Sequence, residues 1–308
     1  MKKVIVTGAA GFVGRHSLIP LLDRGFEIHA FDLRDLKDEF PLVNWYQIDL
    51  NDQHAVNEKL SSIGATHLLH FAWFTGHGEY WSSKENFKSL FNSFEFLRSF
   101  AANGGKRVVM SGTCAEYAWN GEICNETNST TLPTTVYGQC KLAMFNLLKA
   151  FAQAHNLSAA WGRLFFLFGS HENPKRFVAS LIQSLLKGEE APCSHGRQIR
   201  DFMDTRDAAD AFITLLDSEI QGAVNIASGQ AISLKEIALM LEKLTGQTDK
   251  VKPGALPAAP NDPDRIIADT TRLNDELNWR PNASLEQRLQ QTVEWWRQNQ
   301  EKTNENQH

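Results

Sequence analysis

The stretch VIVTGAAGFVGRH, residues 4–16, limits what this chain can fold into more than any other. It sets Gly8, Gly11 and Gly14 between a β-rich run and a helical pattern, with Phe12 and Val13 completing the loop. Glycine at such a junction lets the backbone turn sharply and approach a pyrophosphate closely. The helix that follows offers unpaired N–H groups and the positive end of its dipole. Asp32 ends the next β-rich run, FEIHAFD, where a carboxylate can accept hydrogen bonds from adenosine ribose hydroxyls. That carboxylate would repel a 2′-phosphate, which favours NAD(H). Arg34, just beyond, would welcome such a phosphate, so NADP(H) stays possible. Asp49 and Leu50 close the third run and can meet the adenine edge; Asp49 can equally cap a helix. Phe71, Ala72 and Trp73 close the fourth, and the small Ala72 leaves room beside a cofactor.

The first half alternates strands with helices. KVIVTG, FEIHAFD, WYQIDL, ATHLLHFAW, GKRVVMSG and LSAAWGRLFFLFG read as strands. RHSLIPLLDRG, KENFKSLFNSFEFLRSFAANGG and VYGQCKLAMFNLLKAFAQAHN read as helices. This alternation predicts an α/β fold around a doubly wound parallel sheet. After residue 168 the rhythm changes. Helical patterns KRFVASLIQSLLKG, SLKEIALMLEKLTG and SLEQRLQQTVEWWRQNQ are separated by the loop-like EEAPCSHGRQIRDF and PGALPAAPNDPDR, and EKTNENQH reads as a frayed tail. The expected division is a dinucleotide-binding domain over 1–167, with 201–227 returning to it, and a smaller, discontinuous domain over 168–308. The helix at 85–103 carries Phe87, Leu90, Phe91, Phe94, Phe96, Leu97 and Phe100, more than one core stripe needs. It is either buried between neighbours or the face of a homodimer.

Composition excludes several classes. Of 308 residues, 42% are hydrophobic and 22% charged, the balance of a soluble globular chain. The net charge of −5, without a Lys/Arg run, argues against nucleic acid or an anionic membrane as partner. No segment approaches the ~20 apolar residues of a membrane span, and the short VIV run argues against a secretion signal. Cys114, Cys124, Cys140 and Cys193 form no C-x-x-C pair and no zinc spacing with histidine, so no metal is expected. Scattered thiols fit a reducing cytoplasm, where the sequons at Asn125, Asn128 and Asn282 carry no meaning.

Tyr137 and Lys141, in VYGQCK, share a helix face. Together with TGAAGFVG, Asp32, HFAW, ENF at 85–87, MSGTCAEY, GRLFFLFG, IRDFMDTRDAADAF, GAVNIASG and LNWRP, they resemble the extended short-chain dehydrogenase/reductase family. The likeness is to its nucleotide-sugar epimerase/dehydratase/reductase branch, and it covers nearly the whole chain. It implies a Rossmann-type sheet with a smaller α/β substrate-binding domain. It also implies that Tyr137 exchanges a proton with a sugar oxygen while hydride moves to or from nicotinamide. A nearby ammonium lowers the phenol's pKa, and Lys141 also holds the nicotinamide ribose. Thr113, placed four residues before Tyr117, would hydrogen-bond the reacting oxygen; Ser111 competes by chemistry alone.

The departures from the family pattern bear on the reaction. Members that remove water resemble Thr-Asp-Glu at this point, whereas here Cys114 and Ala115 follow the threonine and Glu116 comes one position later. Phe166 stands where epimerases often resemble Arg-x-x-Asn. Arg200 matches the family's substrate-side arginine, with Arg176 and Arg265 as further phosphate candidates. Trp73, His77, Tyr80 and Trp81 can wall a sugar or base, and His77 can donate a proton. The expected activity is NAD(P)H-dependent reduction of the C4 ketone of a nucleotide-linked 4-keto-6-deoxy sugar, for surface polysaccharide. The alternative is an NAD-dependent nucleotide-sugar 4-epimerase; a non-catalytic dinucleotide-binding regulator is the alternative from another class.

Overall fold

The computed structural model describes residues 2–260 and 262–305. The chain runs through β1 (Lys3–Thr7), α1 (Gly14–Asp23), β2 (Glu27–Asp32), β3 (Asn44–Gln47), α2 (Gln53–Ile63), β4 (His67–His70), α3 (Glu85–Ala102) and β5 (Arg107–Thr113). Next come β6 (Ile123–Cys124), α4 (Val136–His155), β7 (Ser158–Leu164), β8 (Phe166–Phe168), α5 (Phe177–Leu186), β9 (Ala191–Cys193), β10 (Ile199–Asp204) and α6 (Thr205–Leu216). The last part holds β11 (Gly222–Ile226), β12 (Ala231–Ser233), α7 (Leu234–Leu244), β13 (Val251–Pro253), β14 (Arg265–Ala268) and α8 (Leu285–Glu305).

Seven strands form one sheet in the order β11-β7-β5-β4-β1-β2-β3. Every pairing in it is parallel. Parallel strands need crossovers, and the crossover helices bury both faces of the sheet. The sequence meets that demand with continuous apolar runs such as Val4-Ile5-Val6, all fully buried. Leu18 and Leu21 of α1 pack with Ala208, Ala211 and Phe212 of α6 on one face. Val56 and Leu60 of α2, Phe96 and Phe100 of α3, and Met144 and Leu148 of α4 pack on the other. Strand order reverses between β1 and β4, and a crevice opens at the carboxyl ends of strands at such a reversal.

A second sheet, β12-β10-β14-β6 with β8 also paired to β10, and the small β13-β9 pair lie beside it. α5, α7 and α8 supply the core there, with Ile182, Leu185, Leu241 and Leu289 buried. The run LSAAWGRLFFLFG, expected as one strand, is two. β7 joins the large sheet, the chain crosses at buried Phe165, and β8 pairs with β10. A continuous apolar run cannot show which sheet it enters. The loop-like EEAPCSHGRQIRDF contains β9 and the start of β10, short strands created by pairing with β13 and with β12 and β14. β6 pairs with β14 in the smaller sheet, while β11 pairs with β7 in the large one. α2 and α6 are additional to the expected helices. α8 continues to Glu305, so the first half of the expected frayed tail is helical; residues 306–308 lie outside the described residues. Among the described residues, no helix is long and apolar enough to cross a membrane.

Candidate active site

The glycine-rich loop sits at the strand reversal. Gly8 has φ +65°, and a Cβ there would lie 2.8 Å from the Ala72 backbone nitrogen. A Cβ on Gly14 would lie 2.1 Å from the Gly8 carbonyl oxygen. Both positions therefore exclude a side chain, and the loop stays an open cradle against the end of β4. Gly11 donates to the Gly8 carbonyl at 3.0 Å. Phe12 and Val13 lead into α1, where Arg15 N–H donates to the Gly11 carbonyl and His16 N–H to that of Val13, both at 3.1 Å. Asp32 accepts from Ala10 N–H at 2.9 Å and from Arg34 N–H at 3.1 Å, and the Arg34 guanidinium donates to the Ala10 carbonyl at 2.8 Å. Carboxylate and guanidinium are thus both tied to the glycine loop. Asp49 accepts from Asn51 N–H at 2.9 Å in an exposed turn, while Asp52 caps α2. Leu50 packs partly buried under the α2–α3 face. Phe71 lies edge-on to Phe212 of α6, 5.0 Å between centroids. Ala72 N–H donates to the Thr7 hydroxyl at 3.3 Å.

Thr113 ends β5. Its hydroxyl accepts from Ala115 N–H at 3.2 Å and starts a short 3-10 turn, Cys114–Glu116. α4 begins at Thr135, whose hydroxyl accepts from Gly138 N–H at 3.0 Å, so Tyr137 lies in the first turn. The Thr113 side chain faces the Tyr137 hydroxyl and favours its phenolate. One turn on, Lys141 donates to the Ser111 carbonyl at 2.9 Å. Its ammonium lies 3.9 Å from the Trp73 ring centroid and 6.0 Å from that of Tyr137. Thr113 offers its hydroxyl to Tyr137, whereas Ser111 offers its carbonyl to Lys141. Burial pulls the Lys141 ammonium down to about 7, opposed by the Glu116 carboxylate. Burial, with Tyr80 adding to it, pushes the Tyr137 phenol well above its ordinary range, opposed by the Thr113 side chain. A buried phenol and a buried amine both prefer to be neutral, so burial tightens the hold on the Tyr137 proton and loosens that on the Lys141 proton.

An aromatic wall closes one side. Tyr80 and Trp81 stand edge-on to Tyr137 at 5.0 and 5.8 Å, and Tyr137 N–H donates to the Trp81 carbonyl at 3.1 Å. Trp119 continues the wall 6.2 Å from Trp81. Trp73 is anchored by its indole N–H to Asn86 at 2.9 Å. His77 is exposed. Burial raises Tyr80 to about 12, and the charge of Arg176, at the start of α5, opposes the shift. Arg200 is buried, donates to Asp262 at 2.6 Å, and lies 5.3 Å from the Phe166 ring. Arg265 opens β14 on an exposed face, and no contact among the described residues joins it to the trio.

Two features escaped the sequence reading. Glu116, weighed there as a late acid or base, is fully buried and its carboxylate is taken up by Thr113 N–H at 2.8 Å, the Trp161 indole at 2.9 Å and Arg163 at 2.8 Å. The spelling TCAE, a hydroxyl followed three residues later by glutamate, is the local signature of this capping box. Glu172 is also buried, and one of its oxygens has no hydrogen-bond partner among the described residues; no local pattern marks it.

The model of the NAD dependent epimerase/dehydratase family matches residues 4–227. The chain belongs to this family. Its relatives include a UDP-glucose 4-epimerase of Lacticaseibacillus casei, 27% identical over 96% of this chain and 97% of that one. A probable UDP-arabinose 4-epimerase of Oryza sativa subsp. japonica is 27% identical over 90% of this chain and 77% of the other. Among solved structures, MoeE5 in complex with UDP-glucose and NAD is 27% identical, superposes with a TM-score of 0.85, and covers 97% of this chain and 99% of that one. This epimerase/dehydratase-family protein is accordingly an NAD-dependent enzyme of the Rossmann type. The open glycine cradle beside the Asp32 carboxylate fits the pyrophosphate and adenosine ribose of NAD.

Proposed function

We propose that this enzyme is a nucleotide-sugar 4-epimerase that keeps NAD bound throughout. The observation that carries the reading is the Thr113–Tyr137–Lys141 cluster at the carboxyl edge of the sheet, beside the glycine cradle. The relatives support the 4-epimerase over the 4-ketoreductase first expected from the sequence. The turn after Thr113 also leaves little for dehydration. Burial pushes the Cys114 thiol up, Ala115 has no titratable group, and Glu116 is committed to three donors.

The glycine loop would hold the pyrophosphate, Asp32 the adenosine ribose, and Lys141 the nicotinamide ribose. NAD, when bound, supplies reversible hydride transfer at the sugar C4. Tyr137 takes and returns the proton of the C4 hydroxyl, and Thr113 hydrogen-bonds the same oxygen. Lys141, when charged, favours the phenolate. Arg200 and Arg176 receive the diphosphate, and the Tyr80–Trp81–Trp119 wall covers the sugar. The two-part division of the chain belongs to the same proposal, with cofactor on the large sheet and nucleotide sugar against the smaller one.

One observation keeps the ketoreductase as a second reading. Phe166, in place of the family's asparagine, packs against Phe202 at 5.9 Å beneath Arg200, so the sugar-nucleotide pocket is more apolar here than that asparagine would make it. A single set of incubations separates the two. UDP-glucose, UDP-galactose and UDP-pentoses are followed chromatographically at constant nicotinamide absorbance. 4-keto-6-deoxy sugars are followed by loss of NADH or NADPH. Interconversion without net cofactor change, lowered by on the order of a hundredfold or more in Tyr137→Phe, is the expected result. Stoichiometric consumption of reduced cofactor would replace it with the ketoreductase.

A further inference from the structure

Glu116 and Arg163 form an ion pair at 2.8 Å with side chains only 0% and 2% exposed. The guanidinium passes a hydrogen bond to the Tyr117 hydroxyl at 3.0 Å, which donates to Asn225 at 2.7 Å. It also stacks 4.6 Å from the Tyr117 ring and 5.1 Å from that of Phe145. Such a pair is weak evidence for stability, because the desolvation of both charges offsets their attraction. Apolar residues of equal volume would stabilise the fold as well. They could not grip the Thr113 backbone N–H, and they could not place a negative charge beneath α4.

We infer that Glu116 is a positioning residue of the active site, clamping Thr113 at the end of β5 and setting the field in which Tyr137 and Lys141 exchange protons. Only the kinetic part of the inference rests on the epimerase reading. The groups that face this carboxylate are Arg163 of β7, Cys114 and Tyr117 of its own turn, and Tyr137 and Lys141 of α4. Tyr80 additionally faces Tyr137, and His70 of β4 feels Lys141. A negative charge favours the protonated form of every neighbour. Glu116 therefore opposes the loss of the Lys141 proton that burial favours and helps hold the proton on Tyr137. Removing the charge moves both groups in the same direction, towards proton release at lower pH.

The test uses full-length, NAD-loaded protein carrying Glu116→Gln. The amide keeps an acceptor for Thr113 N–H but removes the charge. Because Arg163 is then left without its carboxylate, Glu116→Gln with Arg163→Gln is made in parallel, so that a folded variant is available. Three quantities are read: bound NAD, the tyrosinate absorbance titration corrected with a Tyr137→Phe control, and the pH profiles of kcat and KM. Bound NAD and KM stay at wild-type levels, while kcat falls on the order of tenfold. The kcat midpoint and the Tyr137 titration both move to lower pH, by about one unit in the single variant and less in the double variant. Unchanged kcat and titration in folded, NAD-loaded protein overturn the inference. So does a loss of kcat that only tracks lost NAD or lost folded protein. If the wild type turns over no nucleotide sugar, the epimerase reading fails, and the tyrosinate titration still decides the role of Glu116.

Discussion

Lys141 shows at the residue scale what the site costs the fold. The residue is 3% exposed, and the compensation for its ammonium is a carbonyl, an indole face and the nearby Glu116 charge. A lysine held near 7 when folded keeps its ordinary value near 10.5 when unfolded. Between those pH values the unfolded chain binds more protons, so stability rises with pH across that window; below it the cost of the buried charge is present in full. Lys141→Met therefore raises the melting temperature at neutral pH, by a stabilisation on the order of a few kcal/mol, and the gain shrinks as pH approaches 10. The same variant loses turnover. Calorimetry against pH checks the first effect, and a flat difference between variant and wild type would refute it. Glu172 behaves with the opposite sign. Burial raises its carboxyl to about 8, so the folded state holds a proton that the unfolded state has lost above the usual carboxylate range. Stability falls as pH rises between those two values, and Glu172→Gln stabilises the protein at pH 8 but not at pH 4.

At the scale of elements, α3 and α4 pack on each other and still present apolar surface. Phe87 and Phe91 are 50% and 68% exposed, and Leu147 of α4 is 40% exposed. Both readings of α3 made from the sequence meet here. Phe96, Leu97 and Phe100 fill the core under the sheet, while Phe87 and Phe91 on the other side of the helix stay exposed among the described residues. We propose that this side joins two copies. Phe91→Glu together with Leu147→Glu then turns a dimer into a folded monomer, as read by light scattering; a monomeric wild type would remove the proposal. The short elements are where local reading failed. β6, β8, β9 and β10 exist because of strands far away in sequence, and segments of two to six residues carry too little pattern of their own.

At the scale of the molecule, the proposed site draws on both sheets. The cradle, Asp32 and the trio lie on the large sheet, whereas Arg200 comes from β10 of the smaller one. Separate duties follow for the two halves. Arg200→Ala raises KM for the nucleotide sugar by roughly ten- to hundredfold, the range for a lost hydrogen bond to a charged group, and leaves bound NAD unchanged. Equal loss of both would contradict the division. The sequence alone determined the parallel sheet, the glycine cradle and the pairing of Tyr137 with Lys141. Each of these is a local signal, whether an apolar run, a turn that admits only glycine, or a helical spacing of one turn. Tertiary structure alone decided that Phe165 carries the chain from one sheet to the other, that Arg200 rests on Phe166 and Asp262, and that Glu116 is bound by Trp161 and Arg163. Those partners lie far apart along the chain, and a buried carboxylate acquires its role only from the donors that folding brings to it.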